Sequence, residues 1–357
     1  MSENKFVIVD GSSLLSTCYY AVLPREIMFA KTDEEKQKHY DKILHAADGT
    51  YTNGIFGVLK AVVSLLKKQQ PDHVAFVFDK TRDTFRRELY PDYKGTRSET
   101  PKPLKQQFVL LEQILEDAGF RVLYSSRYEA DDYAGSLVMK FRDQIPMVVM
   151  TKDHDYLQLV DDGHNVRAWM VQSRQEKADE LYDKYYAPYG MDKKSVNLPE
   201  KTFEFTAEHV LAEEGVWPHQ ITDLKGIQGD TSDNIPGVKG VASAAPILLG
   251  EYGTIEEIYA AIHEAEKDKA SLKELQDFWK FGLGISRSPY KALTKTGEED
   301  ELCGEAAALL SKRLATIKTD IAIEESLDDF HVSGYDEDKL KAWCRKLDIK
   351  EESVFGK

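Results

Sequence analysis

Phe6-Val7-Ile8-Val9-Asp10-Gly11-Ser12-Ser13 is a short β-branched and aromatic run that stops on an acid and a glycine. The same pattern returns as Val74-Ala75-Phe76-Val77-Phe78 followed by Asp79, and as Met147-Val148-Val149-Met150 followed by Asp153 and Asp155. Bounded apolar runs of this length read as strands buried on both faces of a parallel sheet. Ligands in such a sheet bind beyond the carboxyl ends of the strands, so three strands deliver carboxylates to one edge.

Two further acidic stretches extend the set: Tyr128-Glu129-Ala130-Asp131-Asp132-Tyr133, and Gly229-Asp230-Thr231-Ser232-Asp233-Asn234-Ile235-Pro236-Gly237. Nine carboxylates, Asp10, Asp79, Glu129, Asp131, Asp132, Asp153, Asp155, Asp230 and Asp233, would then share a small volume. Acids that close cannot all ionise without a neutralising cation. Oxygen ligands without His or Cys favour Mg²⁺ or Mn²⁺ over zinc. The chemistry this implies is two-metal phosphodiester hydrolysis.

The pattern continues outward as strands alternating with helices. A helix is expected from about Ser12, a charged helical stretch near 33–44, a helix near 55–68, another near 105–117 ended by Gly119, and a strand near 121–124. A helix capped by Asp131 or Asp132 runs to about Arg142. This order predicts an α/β fold with a mainly parallel sheet flanked by helices. The core is expected over residues 1–205, with a basic arch about 80–105 and a surface insertion about 172–200. A second, helical unit is expected over 206–325, and a tail, 326–357, packing back on the core.

At 357 residues the chain suits roughly two such units, and its formal charge of −15 argues against a general nucleic-acid coat. Setting aside the nine clustered acids leaves −6. Distribution matters more than the sum: Lys80, Arg82, Arg86, Arg87, Lys94, Arg97, Lys102 and Lys105 stand close together with Phe85, Tyr90 and Tyr93 interleaved. Cations that follow a backbone and aromatics that stack on bases are what a single-strand channel requires. No run is long and apolar enough for a membrane span or a signal peptide, so the cytoplasm is the expected compartment. Cys18, Cys303 and Cys344 are scattered and read as buried fillers.

In order, these motifs resemble those of the 5′ nuclease (flap endonuclease) family, in particular the 5′→3′ exonuclease domain of bacterial DNA polymerase I. The likeness includes Phe85 to Arg97, Lys152-Asp153-His154-Asp155 and Arg313 to Asp320, and covers nearly the whole chain. It implies a resolvase/PIN-like nuclease core with a helix-three-turn-helix unit that grips duplex DNA. It also implies two Mg²⁺ ions, with Mn²⁺ as substitute. Asp10, Asp79, Glu129 and Asp131 match the first ion's group, and Asp132, Asp153, Asp155, Asp230 and Asp233 the second's. Lys94 and Arg97 match residues on the scissile phosphate, with Tyr93 beside them. Arg86, Tyr93, Lys94, Arg97, Gly237, Lys239 and Gly240 are the expected nucleic-acid contacts.

The implied substrate is DNA with a 5′ flap, a nick or a branch, or an RNA–DNA hybrid, cut by a monomer that acts alongside a DNA polymerase in replication and repair. No polymerase module follows Lys357, so the chain reads as a free-standing nuclease. The hairpin departs from the family pattern: Gly240-Val241-Ala242-Ser243-Ala244-Ala245 lacks the second glycine and the lysine. One phosphate cation is lost, which weakens the expectation of tight duplex binding and of a monovalent K⁺ at the Gly237–Gly240 turn.

Taken singly, an acid after a strand is more often a helix N-cap, and the Lys80–Lys105 stretch a solvated face. His154 reads as a loop residue, and Tyr182, Tyr185, Tyr186 and Tyr189 as packing for the insertion. Only the ordered set favours a site. Two competing functions remain, a PIN-like ribonuclease and a junction-binding scaffold with weak catalysis.

Overall fold

A computed structural model describes residues 4–192, 196–297 and 301–356. Residues 193–195 of the expected insertion therefore lie outside the described residues.

Six strands form one sheet in the order β3-β2-β1-β4-β5-β6. They are β1 (Phe6–Asp10), β2 (His73–Val77), β3 (Arg121–Leu123), β4 (Met147–Thr151), β5 (Val166–Val171) and β6 (Thr202–Phe205). All neighbours are parallel except β5 and β6. β1 is buried throughout, and its alternation feeds two cores. Val7 and Val9 pack beneath the helices Gly11–Ala21, Asn53–Gln69 and Lys102–Asp117, while Phe6 and Ile8 pack beneath the helix Ala130–Phe141. Full burial of each such side chain contributes about 2 kcal/mol.

β1 lies between β2 and β4, so the chain leaves it in opposite directions on its two sides. This is the switch point at which an open α/β sheet forms its crevice. The register sets Asp10 opposite Val77, and Asp79 follows two residues later. Thr151 ends β4 beside the same edge.

A second core joins Ala168 and Met170 of β5 and Phe203 and Phe205 of β6 to Val210, Leu224, Leu248, Ile258 and Trp279 of the helical segment. The tail returns to the first core through Leu340, Cys344, Leu347, Ile349 and Val354. Among the described residues no helix is long and apolar enough to cross a membrane.

Five local expectations need correction. β5 and β6 are absent from the sequence reading. Arg167 breaks the apolar run of β5 and pairs with Asp162 at 2.7 Å, while Glu204 breaks that of β6 and accepts the Trp169 indole N–H at 2.8 Å. The 33–44 stretch contains only a helix Asp33–Gln37 and a turn Tyr40–Lys42, because its first helix has no apolar face to bury. The helix Ala130–Phe141 is capped by Glu129, with Asp132 closing the capping box. Tyr189 is 83% exposed, unlike Tyr182, Tyr185 and Tyr186, which pack against one another or Phe203. Of the cysteines only Cys344 is buried; Cys18 and Cys303 are partly exposed.

Candidate active site

The acids expected at the site sit at strand ends, at the start of the helix Ala130–Phe141 or in tight turns, and several are held by local hydrogen bonds. Asp10 N-caps the helix Gly11–Ala21 through the Ser13 N–H at 2.9 Å and accepts from the Thr151 hydroxyl at 2.8 Å. Asp79 accepts from the Ala130 N–H at 3.0 Å, while its own N–H donates to the Ser12 hydroxyl at 2.8 Å. Asp153 caps the turn at His154–Leu159 by accepting the Asp155 N–H at 3.0 Å. The N-cap reading of these acids is thus correct for Asp10 and Asp153. It does not compete with a site, because a carboxylate that accepts an N–H keeps further lone pairs.

The 229–237 turn delivers the last two acids. Asp230 and Ile235 exchange backbone hydrogen bonds of 2.9 and 2.8 Å. Gly237 has φ +60, and a Cβ there would lie 2.2 Å from the Gly229 nitrogen. Gly237→Ala is therefore expected to destabilise the protein by about 2–4 kcal/mol, read as a lower urea midpoint. A midpoint equal to the wild type would show that the turn yields freely.

Four of the acids, Asp10, Asp79, Asp153 and Asp230, line a cleft of about 760 Å³ together with Arg97 and Lys225. An adjoining cleft of about 900 Å³ lies under the 80–105 segment and is lined by Asp79, Lys80, Arg87, Lys94, Arg97, Lys105 and Glu129.

The electrostatics divide the acids. Burial, with Asp79 beside it, pushes Asp10 up from 3.8 to about 7. Asp79 and Asp153 open onto the cleft, yet crowding removes enough water to raise both, with Glu129 adding to the first and Asp233 to the second. Burial also raises Asp131 well above the usual carboxylate range, with Asp132 and Glu129 adding to the rise. The opposite holds where a lysine intrudes. Burial works to raise Glu129, but Lys94 and Arg86 outweigh it and hold it at about 2. Lys225 does the same for Asp230, also held at about 2, and its ammonium lies against Asp155 as well.

Lys94 lies against Glu129 and 3.6 Å from Asp233. Arg97 pairs with Asp233 and donates to the Ser232 carbonyl at 3.1 Å. Among the described residues, no group of three or more His, Cys, Asp or Glu side chains is arranged to hold a metal ion. Protein cations stand between the acids instead. The donor chemistry nevertheless fits a hard dication: all oxygen, crowded, and on Asp10, Asp79, Asp131 and Asp153 reluctant to ionise without one.

Asp132 does not belong to that donor set. It is 0% exposed, both its oxygens are engaged by Arg86 at 2.7 and 2.8 Å, and it also accepts the N–H groups of Glu129 and Lys318. Three expected nucleic-acid contacts are likewise turned inward. Arg86 is 1% exposed. Tyr93 is buried, with its hydroxyl donating toward Glu129 and Asp233 at 3.2 and 3.1 Å. Gly237 is buried and gives its N–H to the Ser311 hydroxyl at 2.9 Å. Lys239 and Gly240 are exposed. His154 pairs with Glu214 at 2.8 Å, and Lys225 is a site residue that the sequence reading did not single out. Lys225 sits on the helix Ile221–Gln228 and Asp230 lies beyond its end, so helical spacing gave no signal of the pair.

The family model "5′-3′ exonuclease, N-terminal resolvase-like domain" matches residues 5–186, and "5′-3′ exonuclease, C-terminal SAM fold" matches residues 216–281. The chain belongs to the 5′-3′ exonuclease family. The members of that family are 5′ nucleases, which are phosphodiester hydrolases. The chain's similarity to DNA polymerase I of Caldicellulosiruptor bescii is 31% identity over 97% of this chain and 33% of that protein. With DNA polymerase I of Bacillus caldotenax it is 30% over 97% and 31%. The chain spans about a third of the length of the curated relatives it matches. Its fold is shared with bacteriophage T5 5′-exonuclease bound to zinc at a TM-score of 0.52 and 18% identity, covering 96% of this chain and 98% of that one. It is also shared with the catalytic core of Rad2 in complex with DNA at a TM-score of 0.51 and 14% identity, covering 100% and 89%. Both likenesses agree with the resolvase-like core and helical unit of this 5′-3′ exonuclease family member.

Proposed function

We propose that this 5′ nuclease uses two divalent ions, Mg²⁺ or Mn²⁺, to cut one strand of DNA near a single-strand/duplex junction, removing 5′ flaps or primers. The observation that carries the reading is a cleft lined by Asp10, Asp79, Asp153 and Asp230, adjoining one lined by Glu129, with Lys94 and Arg97 beside them. The metal-bound nucleases and DNA complexes among the structures of like fold support it.

Asp10, Asp79, Glu129 and Asp131 would hold one ion, and Asp153, Asp155, Asp230 and Asp233 the other. Bound there, the ions supply the activation of the attacking water and neutralise charge on the leaving oxygen. The protein's own residues do the rest. Lys94 and Arg97, released from Glu129 and Asp233, would turn to the scissile phosphate and stabilise the charge that develops on it. Asp10 and Asp153 stay fixed because each also caps a helical turn. Lys239 and the exposed turn at Gly240 would meet the duplex backbone, where contacts position the substrate without reading its sequence.

The test is cleavage of end-labelled 5′-flap DNA, nicked duplex and single-stranded RNA in Mg²⁺, Mn²⁺ or EDTA, with Asp153→Asn as control. Metal-dependent cutting at the flap junction, lost in the variant, is the expected result. Tight flap binding without cutting would make the chain a junction-binding scaffold instead, and equal cutting of the RNA a PIN-like ribonuclease.

A further inference from the structure

We propose that Arg86 is a positioning residue of this site. It sets where Glu129 and Asp131 stand by joining Asp132, the base of the arch and the end of the helix Gly304–Ala315. The inference rests on the 5′ nuclease reading above.

The Arg86 guanidinium makes four hydrogen bonds. Nη1 and Nη2 grip the two oxygens of Asp132 at 2.8 and 2.7 Å, Nη2 also reaches the Thr316 carbonyl at 3.0 Å, and Nε donates to the Leu314 carbonyl at 2.9 Å. Asp132 in turn accepts the Glu129 N–H at 3.0 Å and the Lys318 N–H at 2.8 Å. One ion pair therefore fastens three segments far apart in the chain: the arch helix Phe85–Leu89, the start of the helix Ala130–Phe141, and residues 314–318.

Two of those segments carry the chemistry. Glu129 and Asp131 flank the pair, with their carboxylates 3.7 and 3.9 Å from the guanidinium. The third segment reaches the duplex-binding turn, since Ser311 on the same helix as Leu314 accepts the Gly237 N–H. Contacts thus run from the 237–240 turn through Ser311, Leu314, Arg86 and Asp132 to Glu129.

Stability alone does not account for such a pair, because buried ion pairs are often matched or bettered by apolar replacements. Geometry does. Only a planar guanidinium can hold both oxygens of a carboxylate while bonding two carbonyls; an ammonium of the same charge cannot.

The test uses the full chain with Arg86→Lys, which keeps the cation beside Glu129 and Asp131, and, separately, the paired variant Arg86→Met with Asp132→Asn, which removes both charges of that pair while Lys94 still faces Glu129. Four quantities are measured: melting temperature, flap affinity in EDTA, single-turnover cleavage rate at saturating enzyme, and the Mn²⁺ concentration giving half the metal-induced rise in melting temperature. Both variants are expected to melt cooperatively and bind the flap as the wild type does. Their single-turnover rate is expected to fall about 100-fold, the scale of a small misplacement of reacting groups. The Mn²⁺ midpoint is expected to rise about tenfold, as when a partner behind a metal ligand is removed.

A variant rate equal to the wild type, or a loss that follows melting temperature or flap affinity alone, would overturn the proposal. If the wild type itself cuts no flap, the 5′ nuclease reading fails. The Mn²⁺ midpoint then still decides the role of Arg86: a raised midpoint in Arg86→Lys upholds it, and an unchanged one overturns it.

Discussion

Lys94→Ala is expected to lower the single-turnover rate of flap cleavage by about 10²–10³-fold, the cost of removing one preorganised charge from a developing oxyanion. Flap affinity should change little. The Lys94 side chain is only 13% exposed, wedged against Glu129 and Asp233 and lying over the Tyr93 ring at 5.1 Å. Burial works against its charge, but Glu129, Tyr93 and Asp233 more than offset that and raise it well above the ordinary lysine range, so it stays an ammonium at any working pH. A charge so enclosed adds little to long-range attraction of a polyanion. Its backbone is also committed: φ is +54, in the left-handed region, and the N–H donates to the Asp233 carbonyl at 2.8 Å. Non-glycine residues keep such conformations where surrounding structure over-determines them, at a cost of order 1–3 kcal/mol. The measurement is rate at saturating enzyme beside an equilibrium binding curve. A loss confined to binding would remove Lys94 from the chemistry and make it an ordinary phosphate contact.

Asp10→Asn should abolish metal-dependent cleavage and, in EDTA at pH 8, raise the melting temperature. The direction follows from linkage. Folding lifts the Asp10 carboxyl from 3.8 to about 7, so the folded state holds its proton more tightly than the unfolded chain. The stability this group contributes is full below about pH 4 and lost as the pH rises through 7, a difference of up to about 4 kcal/mol. Asparagine never ionises, and it keeps the cap on the helix Gly11–Ala21, since Asn is as good an N-cap as Asp.

The wild type in EDTA should therefore lose melting temperature between pH 5 and pH 8, where the variant should not. Divalent ion should restore the wild type, because a ligand that binds only the folded state stabilises it by mass action. Glu129 has the opposite sign in another window: held at about 2, it adds stability above its ordinary range that is lost only as the pH falls toward 2. Parallel melting curves for the two proteins from pH 5 to 8 would mean that Asp10 remains solvated and that the acids do not crowd.

The gain in stability and the loss of function share one cause. Asp10 and Asp79 each raise the free energy of the folded chain without a cation, and that cost is what makes them ready donors for one.

Much of this was legible in the chain. β1, β2 and β4 announce themselves through local periodicity, and an acid at the end of each run needs no partner to be noticed. Strand polarity then carries Asp10, Asp79 and Asp153 to a single edge, because parallel strands must end together. Composition likewise marks the donor set as oxygen alone.

Other features were out of reach because they depend on contacts between residues distant in sequence. Arg86 reads as one more cation in a basic run, yet its partners lie 46 residues away at Asp132 and 228 away at Leu314. Asp132 has the same local look as Asp131, one residue before it. The helix phase turns Asp132 fully inward onto Arg86 and leaves Asp131 partly exposed. Tyr93 points between Glu129 and Asp233 rather than toward a base for the same kind of reason, and β6 becomes a strand only by pairing with β5.

The sequence by itself determined that β1, β2 and β4 form and that Asp10, Asp79 and Asp153 come to one sheet edge, since hydrophobic period and strand direction are local properties. Only the tertiary structure decided which of those charges face the cleft and which lock the fold, because a buried charge goes where a partner across the chain can pair with it.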